Sequence, residues 1–173
     1  MDTHSIPPIV IMGVQGSGKS TIGDLLARRL DLLFIDGDSL HSTDNKKWMA
    51  SGRALSDAQR LPWLHVVGET LADGSANGIV VACSALKRSY RDLLREHTPA
   101  LFTVFARGDM ELIHARITAR QHEYMPSSLL TTQFATLEER EDDELGTTVD
   151  IRLTPEQLVG LISDAIAEGV SVS

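Results

Sequence analysis

Short apolar runs rich in β-branched residues alternate along the chain with segments whose apolar residues recur every three or four positions. The runs predict β-strands and the periodic segments predict helices between them. The predicted strands span residues 9–12, 32–35, 79–83, 101–106 and 147–151, and the clearest helices span residues 19–30, 87–96, 109–119 and 155–168. This alternation is typical of an α/β fold with a parallel sheet, in which ligands bind beyond the carboxyl ends of the strands.

The stretch between the second and third predicted strands, residues 37–78, is too long for a plain loop and is expected to contain helices of its own. It is the natural place for a substrate-binding insert. Ser56 with Gln59 predicts a capping box there, and Thr154 with Gln157 predicts another at the start of the last helix. Because 173 residues suffice for one good core, we expect a single domain over residues 1–173.

Composition excludes several classes of function. The net charge of −8 argues against a nucleic-acid surface, which needs clustered Lys and Arg. No apolar run approaches the ~18 residues of a membrane span, and residues 1–8 lack a basic segment followed by an apolar one. We therefore expect a cytoplasmic protein that binds neither nucleic acid nor membranes. The single cysteine, Cys83, lies in an apolar run and is predicted to be a buried structural thiol.

The most specific motif follows the first predicted strand, where residues 13–20 read GVQGSGKS and match the phosphate-binding P-loop, G-x-x-x-x-G-K-[ST]. Its glycines let successive backbone N–H groups turn toward a phosphate, and the following helix adds its positive end. Lys19 would reach the β- and γ-phosphates, and the Ser20 hydroxyl would bind Mg²⁺. The predicted nucleoside triphosphate site comprises Gly13, Val14, Gln15, Gly16, Ser17, Gly18, Lys19, Ser20 and Thr21.

Polar residues also follow the second and third predicted strands. Asp36 and Asp38 end the second strand, where one carboxylate could orient the waters of the metal and the other could accept the proton of an attacking hydroxyl. The alternative is a solvated turn. Ser84 follows the third strand and is placed on the substrate. Two carboxylates beside a P-loop suit a phosphotransferase.

Cationic residues and one histidine complete the candidate site. In the insert, Arg60 offers a guanidinium fork to an anionic substrate and His41 could donate a hydrogen bond, although either could be structural. Arg116 and Arg120 lie four apart on one predicted helix face and open a predicted lid, about residues 120–137, that would neutralise phosphoryl charge. The alternative is an ordinary basic face. The acidic run at 138–144 is predicted to be a solvated connection.

The chain resembles the gluconokinase family, P-loop kinases of the shikimate kinase and nucleoside monophosphate kinase type. The segments that carry the resemblance are MGVQGSGKS, DGDSLH, KKWMASGRALSDAQRLPWL, CSALKRSYRDLLR and PSSLLTTQFATLEE. The resemblance implies a three-layer P-loop NTPase fold, with a five-stranded parallel sheet in the order 2-3-1-4-5 and helices on both faces. It also implies ATP with Mg²⁺, phosphorylation of D-gluconate at its 6-hydroxyl to give 6-phospho-D-gluconate, and a homodimer.

Carried over residue by residue, the resemblance assigns Lys19, Asp38 and Arg120 to catalysis. It assigns Asp38, His41, Arg60 and Ser84 to substrate binding. The residues themselves, apart from the resemblance, place Arg116 with Arg120 on the nucleotide and Asp36 with Ser20 on the metal. Two positions depart from the family pattern. Arg140 stands where a proline is expected, which leaves the path after the lid helix open, and the basic residue Arg53 receives no substrate role.

Three alternatives remain open from the sequence. One is a kinase of the same fold with another small acceptor, such as shikimate or a nucleoside monophosphate. Another is a GTPase-type switch, although the nearest string to a guanine-reading N-K-x-D segment, residues 45–48, lacks the aspartate. The third is a P-loop protein that binds nucleotide without turnover.

Overall fold

A five-stranded, all-parallel sheet forms the centre of the molecule in this computed structural model, which describes residues 6–119 and 127–171. The strands lie in the order β2-β3-β1-β4-β5, which confirms the predicted topology. Their bounds are β1 Ile9–Met12, β2 Leu33–Asp36, β3 Ile79–Ala82, β4 Phe102–Arg107 and β5 Gly146–Asp150. Each lies within one residue of its predicted limits at both ends.

Helices cover both faces of the sheet. In the described parts of the chain the α-helices are α1 Lys19–Leu30, α2 Thr43–Ala50, α3 Asp57–Gly74, α4 Arg88–His97, α5 Met110–Ala119, α6 Ser127–Thr136 and α7 Pro155–Ser171, with a short 3₁₀ helix at Gly37–Leu40. Both predicted capping boxes are present, at Ser56 with Gln59 and at Thr154 with Gln157. Within these described segments, no helix is both long and apolar enough to cross a bilayer.

The core consists of two apolar layers separated by the sheet. Along β1, Ile9 and Ile11 contribute to the layer under α1 and α7, whereas Val10 and Met12 contribute to the layer under α3 and α4. All four side chains are fully buried. A strand covered on both faces is apolar throughout, which is why the sequence locates it so closely. Cys83 is also buried, as predicted, and burial raises the pKa of its thiol to about 12.

The connection from α6 to β5 is less exposed to solvent than predicted. The carboxylate of Glu144 is completely buried and accepts hydrogen bonds from Arg91 Nε and Arg95 Nη1 at 2.7 and 2.9 Å. The prediction of a solvated acidic connection is therefore wrong for Glu144. Arg140 donates to the backbone carbonyls of Glu144 and Glu141 at 2.7 and 3.2 Å, so this residue itself sets the path of the loop.

Candidate active site

The phosphate-binding loop connects β1 to α1 and depends on glycine for its shape. Gly16 has a φ of 85°, and a Cβ there would lie 2.6 Å from the side chain of Ile117. A Cβ at Gly13 would lie 2.9 Å from the carbonyl oxygen of Ala106. The N-cap of α1 is Gly18, which has no side chain to satisfy the first N–H groups of the helix. These groups face the loop and suit a bound anion.

Lys19 is the cation at the centre of the loop. Its Nζ donates to the carbonyl oxygen of Val14 at 3.0 Å. Desolvation by burial lowers the pKa of Lys19, and the nearby carboxylates of Asp38 and Asp36 act in the opposite direction. The folded chain thus holds a positive charge on a partly buried side chain. A phosphate group would supply the missing counter-charge.

Ser20 and Asp36 lie together, as the sequence predicted for a metal site. The Ser20 hydroxyl donates to Asp36 Oδ2 at 3.1 Å, and Asp36 Oδ1 accepts the backbone N–H of Asp38 at 3.0 Å. Hydroxyl and carboxylate oxygens are the donors that Mg²⁺ prefers. Over residues 6–119 and 127–171 no group of three or more His, Cys, Asp or Glu side chains could hold a metal ion. Ser20 and Asp36 therefore fit an ion that takes most of its ligands from phosphates and water.

Two cavities meet at the carboxyl ends of the strands. The smaller, about 190 Å³, follows the phosphate-binding loop and is lined by Gly16, Ser20 and Asp36 among others. The larger, about 600 Å³, lies between the insert and α6. Gln15, Lys19 and Asp38 line both cavities. These three residues therefore lie where the two cavities adjoin.

Asp38 lies at this junction in the 3₁₀ helix that follows β2. Partial burial raises the pKa of its carboxyl above the usual range; the charge of Lys19 opposes this shift, and that of Asp36 adds to it. The side chain is nevertheless open to the cavities. Asp38 is thus placed to accept a hydrogen bond from a hydroxyl in the larger cavity.

The larger cavity also contains His41, Arg60 and Ser84, the other predicted substrate residues. The His41 ring stacks on Trp63 with a centroid distance of 4.0 Å and an angle of 15° between the planes. Burial first, and then the charges of Arg60 and Lys46, lower the pKa of His41 to about 4. The imidazole is therefore neutral at pH 7 and can both donate and accept hydrogen bonds.

Arg60 is held by partners that the sequence reasoning missed. Its Nη1 donates to the Tyr90 hydroxyl at 3.0 Å, and that hydroxyl donates a short hydrogen bond to Asp57. The ammonium of Lys87 pairs with Asp57 at 3.0 Å. The network joins α3 to α4 across the side of the cavity. The Ser56 capping box indicated where α3 begins, but no local signal indicates that Tyr90 meets it.

The turn after β3 places Ser84 beside the phosphate-binding loop. The Ser84 carbonyl oxygen accepts the backbone N–H of Gly13 at 3.2 Å. The next residue, Ala85, has a φ of 43°, a conformation that costs energy for a residue with a Cβ. Strain of this kind persists only where surrounding contacts determine the backbone. Arg91 provides such a contact by donating to the Ala85 carbonyl at 2.9 Å.

The predicted lid is described only in part. Arg120 lies outside the described residues, as do positions 121–126. Arg116 donates to the backbone carbonyl of Ile151 after β5 and lines neither cavity. From α6, Leu129, Thr132, Gln133 and Thr136 line the larger cavity. Gln133 Oε1 accepts the backbone N–H of Gln15 at 2.7 Å, a contact that sequence reasoning did not anticipate.

Arg53 also faces the larger cavity, but its guanidinium lies over the ring of Trp48, 3.5 Å from the centroid. The indole N–H of Trp48 donates to the Ala54 carbonyl at 2.9 Å. This stacking gives Arg53 a structural partner inside the insert. Its role toward a substrate stays unassigned.

Comparison with known proteins agrees with this geometry. The profile of the family described as shikimate kinase matches residues 15–145. The chain is 40% identical to the thermoresistant gluconokinase of Escherichia coli K12 over an alignment of 163 residues that covers 92% of this chain and 93% of the relative. It is 37% identical to the gluconokinase of Arabidopsis thaliana, with 94% of each chain covered.

A solved structure gives the same result in three dimensions. The crystal structure of a gluconokinase from Sinorhizobium meliloti 1021 superposes with a TM-score of 0.90 and 41% identity, covering 96% of this chain and 95% of that one. Identity and coverage of this size show more than a shared P-loop. The chain belongs to the gluconokinase family, within the shikimate kinase type of P-loop kinases.

Proposed function

We propose that the protein transfers the γ-phosphoryl group of ATP to the 6-hydroxyl of D-gluconate and releases ADP and 6-phospho-D-gluconate. The observation that carries this proposal is the meeting of two cavities at Gln15, Lys19 and Asp38. One cavity is built from a phosphate-binding loop and the other from polar and cationic side chains. The relatives named gluconokinase supply the identity of the acceptor.

The nucleotide side of the proposal rests on residues 13–21. Backbone N–H groups of the loop and of the start of α1 would hold the phosphates of ATP, with Lys19 on the β- and γ-phosphates. Ser20 and Asp36 would hold Mg²⁺, which neutralises phosphate charge when bound. Arg116 and Arg120 remain predictions as nucleotide contacts, since Arg116 donates to Ile151 and Arg120 is not described.

The acceptor side of the proposal rests on the larger cavity. Arg60 would pair with the gluconate carboxylate or a hydroxyl, while neutral His41 and Ser84 would hydrogen-bond the polyol. Asp38 would align the 6-hydroxyl toward the γ-phosphate and take its proton. Phosphoryl transfer needs positioning and charge neutralisation more than covalent chemistry, and these side chains supply both.

The direct test measures ADP formation from ATP and Mg²⁺ with separate acceptors: gluconate, shikimate, other sugar acids and nucleoside monophosphates. We expect gluconate alone to accelerate ADP formation above the rate with ATP alone. Analysis of the product by mass and NMR should place the phosphate on the 6-hydroxyl. If a different acceptor accelerates ADP formation, that acceptor and not gluconate is the substrate. If no acceptor accelerates it, the protein binds nucleotide without turnover.

Three further parts of the prediction belong with this proposal. They are a single kinase domain over residues 1–173, with an insert about 37–78 and a lid about 120–137, a homodimer, and a cytoplasmic location. The insert carries α2 and most of the described lining of the larger cavity, which supports its substrate role. Sedimentation equilibrium tests the dimer directly, since a dimer has twice the 18.9 kDa mass of the chain.

A further inference from the structure

Gln133 is the part of α6 that reaches the phosphate-binding loop. Its Oε1 accepts the backbone N–H of Gln15 at 2.7 Å, although the two residues are 118 positions apart in the chain. The side chain is half-buried and lines the larger cavity. This hydrogen bond joins α6 directly to the loop at residues 13–20.

The position of Gln15 gives this contact its significance. Gly16, Gly18, Ser20 and Thr21 line only the smaller cavity, whereas Gln15 lines both. The N–H of Gln15 therefore lies at the acceptor end of the loop, next to the point where the two cavities meet. Gln133 brings a carboxamide to that point, with an oxygen that accepts and an NH₂ group that donates.

We propose that Gln133 is a positioning residue that fastens α6 to the acceptor end of the phosphate-binding loop and so closes the acceptor cavity for phosphoryl transfer. The inference rests on the proposed function, because it takes gluconate as the acceptor. Thr132 and Thr136 line the cavity from the same helix, so a loosened α6 displaces a whole wall of it. A carboxamide in this place carries no charge that would repel the terminal phosphate.

The test compares Gln133→Ala with the wild-type enzyme. We expect kcat/KM for gluconate to fall about tenfold, as for one lost hydrogen bond at the site. The dissociation constant of a non-hydrolysable ATP analogue, measured without gluconate, should change by less than about twofold, because the N–H groups at residues 16–20 do not depend on Gln133. Gln133→Glu keeps the length and the acceptor oxygen but adds a negative charge, and we expect it to weaken analogue binding about fivefold or more.

Gln157→Ala is the matched control. Gln157 Oε1 also accepts a backbone N–H, that of Thr154 at 2.9 Å, but it does so in the capping box of α7 and lines none of the cavities at the strand ends. This variant should lose thermal stability while its kinetic constants stay at wild-type values. It thus measures what the loss of such a hydrogen bond does to folding alone.

Three outcomes would overturn the inference: unchanged kcat/KM for gluconate in Gln133→Ala, an equal kinetic loss in Gln157→Ala, or unaltered analogue binding in Gln133→Glu. Tighter analogue binding by Gln133→Ala would also overturn it, because the carboxamide would then compete with nucleotide for the Gln15 N–H.

The proposed function is tested separately. If the wild-type enzyme does not phosphorylate gluconate, the proposed function is wrong. If the wild type is active and Gln133→Ala has the same kcat/KM, only the inference about Gln133 is wrong.

Discussion

Asp38 combines two properties that make its role testable at the scale of a single residue. It lies where the two cavities meet, and burial raises the pKa of its carboxyl. Replacing it by Asn keeps the size but removes the group that takes the proton. We expect Asp38→Asn to lower kcat by roughly 10²- to 10⁴-fold, the range for a general base. Initial rates at saturating ATP and gluconate measure this loss.

The same residue predicts a pH dependence. Asp38 accepts a proton only when its carboxylate is ionised, so activity should fall as the pH falls through its pKa. Because that pKa is raised in the folded protein, the fall should begin at a higher pH than for an ordinary aspartate, whose pKa is near 3.8. The pH profile of kcat/KM for gluconate measures it. A profile in Asp38→Asn with the same acidic limb would assign the limb to another group.

Arg60 and Arg53 form a natural pair for comparison, because both line the larger cavity but hold different partners. Arg60 donates to the Tyr90 hydroxyl, whereas Arg53 stacks on Trp48. We expect Arg60→Ala to raise the gluconate KM about tenfold or more, since hydrogen bonds to a charged group are strong. Arg53→Ala should raise it less. Equal effects would remove the special role of Arg60 in recognising the anion.

Where the sequence signal was local, the candidate residues that it named lie close together in the structure. The loop at residues 13–20 is a continuous motif, and Asp36 ends a strand that is easily located, with Asp38 two residues later. Gln133 was missed because its contact depends on how α6 docks. A glutamine in a helix has no local property that identifies a partner 118 residues away.

A buried ion pair joins α4 to the connection before β5. Arg91 and Glu144 have fully buried side chains, and their paired hydrogen bonds measure 2.7 and 3.1 Å. Burial alone would raise the pKa of Glu144, but hydrogen bonds from Arg91, the Glu141 N–H and Arg95 outweigh it and lower that pKa. The pair fixes the connection against the turn that carries Ser84.

Removing one partner of this pair should be costly because the other charge stays buried. We expect Arg91→Met to lower the free energy of unfolding by about 3–5 kcal/mol. Arg28 pairs with Asp24 at 3.2 Å on the exposed face of α1, so Arg28→Ala is a matched control that should cost less than about 1 kcal/mol. Urea unfolding measures both. Similar losses in the two variants would contradict a special role for the buried pair.

The elements themselves show why sequence patterns succeed and fail. Strands such as β1 and β3 are buried on both faces, so an unbroken apolar run marks them. The acidic run before β5 was misjudged because burial of Glu144 depends on Arg91, 53 residues earlier. A charged residue looks solvated in the sequence until its partner is known.

At the scale of the whole molecule, the phosphate-binding loop brings Lys19 to the carboxyl edge of the sheet, beside the two cavities. Desolvation lowers the pKa of Lys19, which means that its positive charge is less favourable in the folded chain than in the unfolded one. At neutral pH, removing that charge should therefore leave the unliganded fold at least as stable. With nucleotide bound, the positive charge of Lys19 should instead stabilise the fold, because the phosphates pair with the ammonium.

Thermal unfolding with and without an ATP analogue and Mg²⁺ tests this balance. At about 100 times its dissociation constant a ligand contributes roughly 2.7 kcal/mol, and each kcal/mol is worth about 2–4 °C in a chain of this size. Wild-type protein should therefore gain several degrees in Tm, whereas Lys19→Ala should keep or exceed the unliganded Tm and gain almost nothing from the analogue. An unliganded Lys19→Ala that melts well below wild type would show that Lys19 stabilises the fold itself. The hydrogen bond from Lys19 to the Val14 carbonyl would then stabilise the loop whether or not nucleotide is bound.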